Sequence, residues 1–292
     1  MDTINIIGCG RAGGSLARLW IQAGSLQIGG ILNRSLASAN RAVQNLGAGE
    51  ALDDMARFRP ARFWLIGAND DQIETAARAL AESPVELEGA IVFHLCGRHS
   101  VDILAPVTSR GCKIAAVHPV RSLTHNNLLL DEFKGTACVA EGDPAVLDQL
   151  RSVFDSVGGV WMPVQDVNRG LYHASVSIIS NITKAVAWKA QNWLVHSGLT
   201  EEMAADVTQK LLASTLEDVS RSGAKQTITG PVVRGDTRTI EAHLEALQSA
   251  YPQDLDVYRV LARTVLELAR ERGDLEDVTL QRFESLLGAR PG

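Results

Sequence analysis

From residue 3 to about residue 163 the chain alternates short runs of apolar, often β-branched residues with longer segments whose apolar positions recur at helical spacing. The runs INIIG, IGGILNRS, RFWLIGAND, AIVFHLCG, KIAAVHP, GTACVAEG and GVWMPV have the length and composition of buried strands. Between them, GSLARLWIQAG, LASANRAVQNLG, DQIETAARALAES and DPAVLDQLRSVFDSVG repeat apolar residues every three or four positions, as amphipathic helices do. In the last of these, Asp143 and Pro144 supply the cap and the first turn. Alternation of this kind predicts a parallel sheet of about eight strands joined by crossover helices. Past Gln165 the strand signal fades, and helical periods take over at about 168–197, 200–222, 237–249, 253–272 and 274–288. Two domains are expected, 1–163 and 164–292, with no flexible linker near 163–168, which predicts a rigid joint with a cleft beside it.

Composition narrows the function classes. A chain of 292 residues with 46% hydrophobic residues can bury real cores, and a formal charge of −6 without a Lys/Arg block gives no electrostatic case for nucleic acid or an anionic membrane. The start MDTINIIG reads as a strand rather than a signal peptide, and no uncharged apolar stretch reaches bilayer length, so a cytoplasmic protein is expected. Cys9, Cys96, Cys112 and Cys138 are scattered without a CxxC pair, so neither a metal site nor a disulfide framework is expected.

Gly8-Cys9-Gly10-Arg11-Ala12-Gly13 follows the first strand directly and opens the first helix. In that context GxGxxG reads as a dinucleotide fingerprint. Gly8 permits the tight turn, Gly10 lets backbone approach a pyrophosphate, Gly13 lets helix and strand pack closely, and the helix amides face the anion. The expected fold is therefore α/β, a Rossmann-type mostly parallel sheet followed by an all-helical C-terminal domain. Twenty positions past Gly13 the second strand ends in Asn33-Arg34-Ser35, where an NAD site would place an acid against the ribose 2′-hydroxyl. A guanidinium flanked by an amide and a hydroxyl suits a 2′-phosphate instead, so NADP is the expected cofactor.

These features, together with Asn69-Asp70-Asp71 after the fourth strand, the His118-Pro119 dipeptide, YHASVSIISN at 172–181 and TGPVVRGDTRTIEAHL, span nearly the whole chain. Together they resemble the two-domain NADP oxidoreductases that join a Rossmann-like domain to a C-terminal helical domain of unknown function. That family is akin to 6-phosphogluconate dehydrogenase, ketopantoate reductase and pyrroline-5-carboxylate reductase. The resemblance implies that some members act as alternative ketopantoate reductases, and that the helical domain, which the relatives commonly pair, builds a homodimer. It also implies that Asn69 and the Cys96-Gly97 turn lie along the cofactor.

The relatives carry Lys and Asn four residues apart on the first long helix of the second domain, the Lys as general acid. Asn181 fits the second position, but Ser177 stands at the first, so the proton donor of the relatives is missing here. His173 lies one further turn back. A four-residue step rotates only about 40° and rises about 6 Å, so His173, Ser177 and Asn181 share one helix face, as a reaction site or as a polar seam. His118, at the carboxyl edge of the sheet where ligands sit in such folds, is a second candidate acid or carboxyl binder. In the Gly/Pro-rich turn 230–236, Arg234 is placed either to grip a substrate carboxylate or to form a salt bridge, with Asp236 or Thr237 capping the helix that follows. His94, inside an apolar strand, reads as a hydrogen-bonded core residue.

The function this reading favours is NADPH-dependent reduction of a small carbonyl bearing a carboxylate, a ketopantoate-like 2-oxo acid being the first choice. Arg234 would hold the carboxylate, and His173 or His118 would protonate the product. A cyclic imine reductase of the pyrroline-5-carboxylate type and a binding module that senses NADPH without turnover remain alternatives.

Overall fold

The computed structural model describes residues 1–123 and 128–288, and they divide into two compact units, 1–185 and 186–292. The first unit is built on β1 (Asp2–Ile7), α1 (Arg11–Ala23), β2 (Leu26–Leu32), α2 (Leu36–Leu46), β3 (Glu50–Leu52), β4 (Phe63–Ile66), α3 (Ile73–Glu82), β5 (Ile91–His94), α4 (Ala105–Thr108) and β6 (Lys113–Pro119). It continues through α5 (Leu130–Phe133), β7 (Ala137–Gly142), α6 (Pro144–Asp155), β8 (Val160–Pro163), α7 (Arg169–Ser177) and a π-helical turn (Ile178–Ile182). The unit boundary falls inside α8 (Thr183–His196), and α9 (Glu201–Ser222), α10 (Ala224–Thr227), α11 (Thr237–Ala250), α12 (Leu255–Arg272) and α13 (Asp277–Leu287) complete the chain.

The eight strands form one sheet in the order β3-β2-β1-β4-β5-β6-β7-β8. The chain therefore winds outward from β1 in both directions, and the switch point lies beside the glycine-rich turn, where such sheets hold nucleotides. Side chains alternate between the two faces. Ile4, Ile6, Phe63, Leu65, Ile91 and Phe93 enter one core with Leu16, Trp20 and Phe154, whereas Trp64, Ile66 and Val92 enter the other with Ile73, Ala77 and Leu80. Trp20 meets Phe154 edge to face at 5.9 Å, which locks α1 and α6 over the sheet.

Two features depart from the sequence reading. Strand β6 pairs with β7 antiparallel, whereas all other neighbours are parallel. A parallel neighbour needs a crossover of a dozen or more residues, usually a helix, and residues 120–136 hold only the four-residue α5 among their described positions, so the chain turns back. Strand β3 is three residues long, too short for alternation to register.

The second unit has its own core, in which Ile240, Leu244 and Leu247 of α11, Leu255, Ala262 and Leu266 of α12 and Leu280, Phe283 and Leu287 of α13 close around Val232. Helix α9 contributes little to it. Of its 22 residues only Ala204 is buried, and Met203, Val207, Leu211, Leu216 and Val219 are exposed. No helix among the described residues is long and apolar enough to cross a membrane.

Candidate functional site

The glycine turn is held from beneath. Gly8, at φ +89°, accepts the Gly10 amide at 2.9 Å, and a Cβ on Gly8 would stand 2.5 Å from the Ala68 amide nitrogen, so no other residue fits there. Above Gly10, by contrast, a Cβ would meet nothing within 4 Å. The N-cap of α1 is Gly10 itself, without a side-chain cap, and the amides of Arg11, Ala12 and Gly13 have no backbone acceptor among the described residues. Open space over uncapped amides at the positive end of a 13-residue helix is what a pyrophosphate requires. A dinucleotide fits this cradle.

Beside it, Asn33 and Ser35 are structural as well as accessible. Asn33 Oδ1 accepts the Cys9 amide at 2.7 Å while its Nδ2 donates to Ser38 Oγ at 3.2 Å, which ties the glycine turn to the end of β2. Ser35 caps α2, its Oγ accepting the Ser38 amide at 3.3 Å. Arg34, just before α2, is exposed and has no ion-pair partner among the described residues. Asn69, also exposed, opens a short 3-10 turn without using its side chain.

At the end of β5 the chain folds on His94. Its ring is fully buried, Nδ1 accepts the Cys96 amide at 3.1 Å, and Nε2 donates to Ser100 O at 3.2 Å, so the neutral imidazole staples the 95–100 turn. Burial pulls the His94 pKa down to about 4. The Cys96 thiol faces inward, and burial pushes it up to about 11; Gly97 is the part of the turn that touches the neighbouring strand. A Cβ on Gly97 would stand 2.8 Å from His118 Cε1, so the His118 ring lies directly on the Gly97 backbone.

His118 is at the centre of the polar groups gathered at this edge. Its Nδ1 is 2.7 Å from the Tyr172 hydroxyl on the first turn of α7, the two rings meeting at 85°. Burial, followed by the neighbouring His173 and Arg169, pulls its pKa to about 4, against a smaller opposing pull from Asp70. Arg169 lies under the same residues. Only 6% exposed, it pairs with Glu141 of β7 through Nε, 2.7 Å, and Nη2, with its Cζ 5.7 Å from the Tyr172 ring centre and its Nη1 buried without a partner. Asn168 caps α7 by accepting the Leu171 amide at 3.0 Å, which places Arg169 and Tyr172 three residues apart on one helix face.

Of the stripe read from sequence, His173 joins this cluster electrostatically, while Ser177 is half-buried and Asn181 exposed, with Ser180 Oγ at 3.3 Å from its Oδ1. The π-helical turn over 178–182 widens the helix just where Asn181 sits, so the step from Ser177 no longer overshoots by the angle of an α-helix. Arg234 is exposed in the second unit, in the turn closed by Asp236, whose Oδ1 accepts the Thr239 amide at 3.1 Å. Among the described residues no three His, Cys, Asp or Glu side chains could hold one metal ion. Sequence reasoning passed over Tyr172, Arg169 and Glu141. The Arg-x-x-Tyr spacing at the start of a helix was the available signal for two of them, and nothing local pointed to Glu141.

Residues 2–119 match the family model of a Rossmann-like domain, and residues 136–265 match the domain of unknown function DUF2520. The chain thus carries a Rossmann-like domain followed by a DUF2520 domain, the two-domain organisation of the oxidoreductase family its sequence resembles. Among solved structures, it is similar to a protein of Thermotoga maritima at 22% identity, with 92% of this chain and 99% of that one covered and a TM-score of 0.70. A Bacteroides fragilis protein described as a candidate NADP oxidoreductase matches at 20% identity, 91% and 98% coverage and a TM-score of 0.72. A pyrroline-5-carboxylate reductase of Coxiella burnetii matches at 16% identity, 99% coverage of both chains and a TM-score of 0.58. No curated protein matches the sequence significantly.

Proposed function

We propose that this protein is an NADP-dependent oxidoreductase that reduces a small carbonyl or imine compound bearing a carboxylate. The observation that carries the cofactor is the open cradle over Gly10 with the unpaired Arg34 at the end of β2, where NAD sites place an acid. Gly8, Gly10, Arg11, Ala12 and Gly13 would hold the pyrophosphate, Arg34 and Ser35 the 2′-phosphate, and Asn69 and the Cys96-Gly97 turn the rest; when bound, NADPH supplies hydride. A ketopantoate-like 2-oxo acid is the substrate of first choice. A cyclic imine is the second, supported by the likeness in fold to a pyrroline-5-carboxylate reductase. Arg234 is the proposed carboxylate binder, and His173, Ser177 and Asn181 the proposed lining of the substrate site. The exposed apolar residues of α9 support a homodimer, because a second copy of the same helix offers a matching apolar surface. Light scattering at micromolar concentration should show two chains.

The cofactor is tested by calorimetric titration with NADPH and NADH. The protein should prefer NADPH, and Arg34→Ala should weaken NADPH by about 1.5–3 kcal/mol, the worth of a hydrogen bond to a charged group, while leaving NADH nearly unchanged. Equal losses for both nucleotides would remove the 2′-phosphate assignment.

A further inference from the structure

Resting on the reductase reading, we infer that the Tyr172 hydroxyl hands the proton to the substrate's oxygen or nitrogen, with His118 behind it as the group that restores that proton. Three observations converge. First, the phenol and the imidazole are already in hydrogen-bond contact at 2.7 Å, across 54 residues of sequence. Second, the strand order places β2 with Arg34 on one side of β1, and β4, β5 and β6 on the other. A dinucleotide anchored by its phosphates at β1 and β2 must extend its other end toward β4 and β5, and His118 lies directly on Gly97 at the end of β5. Third, Tyr172 is held by a cation. The Arg169 guanidinium, 5.7 Å from the ring centre and fixed by Glu141, steadies the ring through its π face; burial raises the phenol's pKa, and the guanidinium opposes that rise. Ser177, the group where the resemblance expects a Lys, has only an alcohol hydroxyl to offer.

The step balances as follows in charge and protons. As hydride from the reduced nicotinamide reaches the substrate carbon, the C=O or C=N π pair moves to the oxygen or nitrogen, which takes the Tyr172 proton. The phenolate then takes the proton on His118 Nδ1 while Nε2 gains one from a water, which leaves as hydroxide and is neutralised by solvent. His118 thereby changes tautomer without becoming an imidazolium, in keeping with a ring that burial and the neighbouring His173 and Arg169 hold neutral, against the pull of Asp70. Exchange of the ring protons with water restores the starting tautomer before the next turnover.

The test uses the full chain with NADPH and a panel of small 2-oxo acids and carboxylate-bearing cyclic imines, beginning with ketopantoate and pyrroline-5-carboxylate. Tyr172→Phe should lower kcat on the best panel substrate by about 10²- to 10⁴-fold with NADPH affinity, read by fluorescence titration, unchanged. His118→Gln should lower it less. Imidazole nitrogen NMR, which needs no turnover, should show His118 neutral at pH 7 and its Nδ1 resonance displaced in Tyr172→Phe. Undiminished turnover by Tyr172→Phe overturns the donor role and leaves the reductase reading standing. Loss of NADPH affinity together with turnover makes the hydroxyl structural and also overturns it. If NADPH-bound wild type reduces no panel member, the reductase reading falls and the donor role with it. A charged His118 at pH 7 overturns the relay.

Discussion

The two units each contain a histidine–tyrosine pair of almost the same geometry. His118 and Tyr172 are 2.7 Å apart with rings 5.7 Å apart at 85°, and His243 of α11 and Tyr258 of α12 are 2.7 Å apart with rings 5.9 Å apart at 89°. Their surroundings differ. The first pair stands at the carboxyl edge of the sheet on a glycine backbone, with a buried guanidinium beside the phenol; in the second, Tyr258 is half-buried against its unit's core but His243 is exposed, and among the described residues no cation lies over Tyr258. A hydrogen bond by itself is therefore no sign of chemistry. What separates the pairs is the burial of the imidazole and a fixed charge beside the phenol, which decide how readily a proton moves along the bond.

The largest expected effect separates the charges that support each region. Arg169→Met leaves Glu141 without its partner and should lower unfolding free energy in urea by about 3–5 kcal/mol, because the pair is buried. Lys225→Met in the second unit breaks an exposed pair with Glu271 and should change it by less than about 1 kcal/mol. Similar losses would erase the distinction between the two regions.

Acid sharpens the contrast next. His118 and His94 titrate near 4 in the folded chain, below the ordinary 6.5 of an unfolded histidine. Between those values the unfolded chain binds protons that the folded chain refuses, so stability is full above pH 6.5 and declines as pH falls toward 4. Each group contributes a slope of up to about 1.4 kcal/mol per pH unit. Urea unfolding across that window should show the decline, and His118→Gln should flatten it; an unchanged slope would mean that the ring is not held neutral by burial.

A third prediction concerns the surface under the first pair. Gly97→Ala puts a methyl group 2.8 Å from His118 Cε1 and should cost about 1–3 kcal/mol in thermal or urea unfolding, with a displaced His118 resonance. A variant with wild-type stability and spectrum would show that the ring is free to yield. The smallest effect belongs to the second pair. Tyr258→Phe loses one hydrogen bond to an exposed imidazole, should cost no more than about 1 kcal/mol in urea unfolding, and should leave kcat unchanged. A large loss of turnover there would give the two pairs equal standing and break the comparison.

Much of this molecule was legible along the chain. The glycine turn, the Asp143 cap, the buried His94 and the strand–helix alternation are local, because each reports how one element buries one face or ends one turn. The helix beginning at 169 was legible too, but its π turn at Ile178–Ile182 was not, since the residues there serve equally well in an α-helix. The candidate site was legible in part. His118 and His173 could be named from their positions, whereas Tyr172 looked like one more residue of an apolar stretch.

Sequence alone determined that there would be a sheet of alternating strands and helices opening on the Gly8 turn, and a helical region after it, because periodicity and glycine chemistry act within a few residues. Only the tertiary structure decided that β7 runs against β6, that Glu141 meets Arg169, and that the Tyr172 hydroxyl meets His118. Those contacts join residues 28 and 54 positions apart. No local pattern encodes them, since they depend on where α7 passes the sheet edge and on which buried charge must find a partner there.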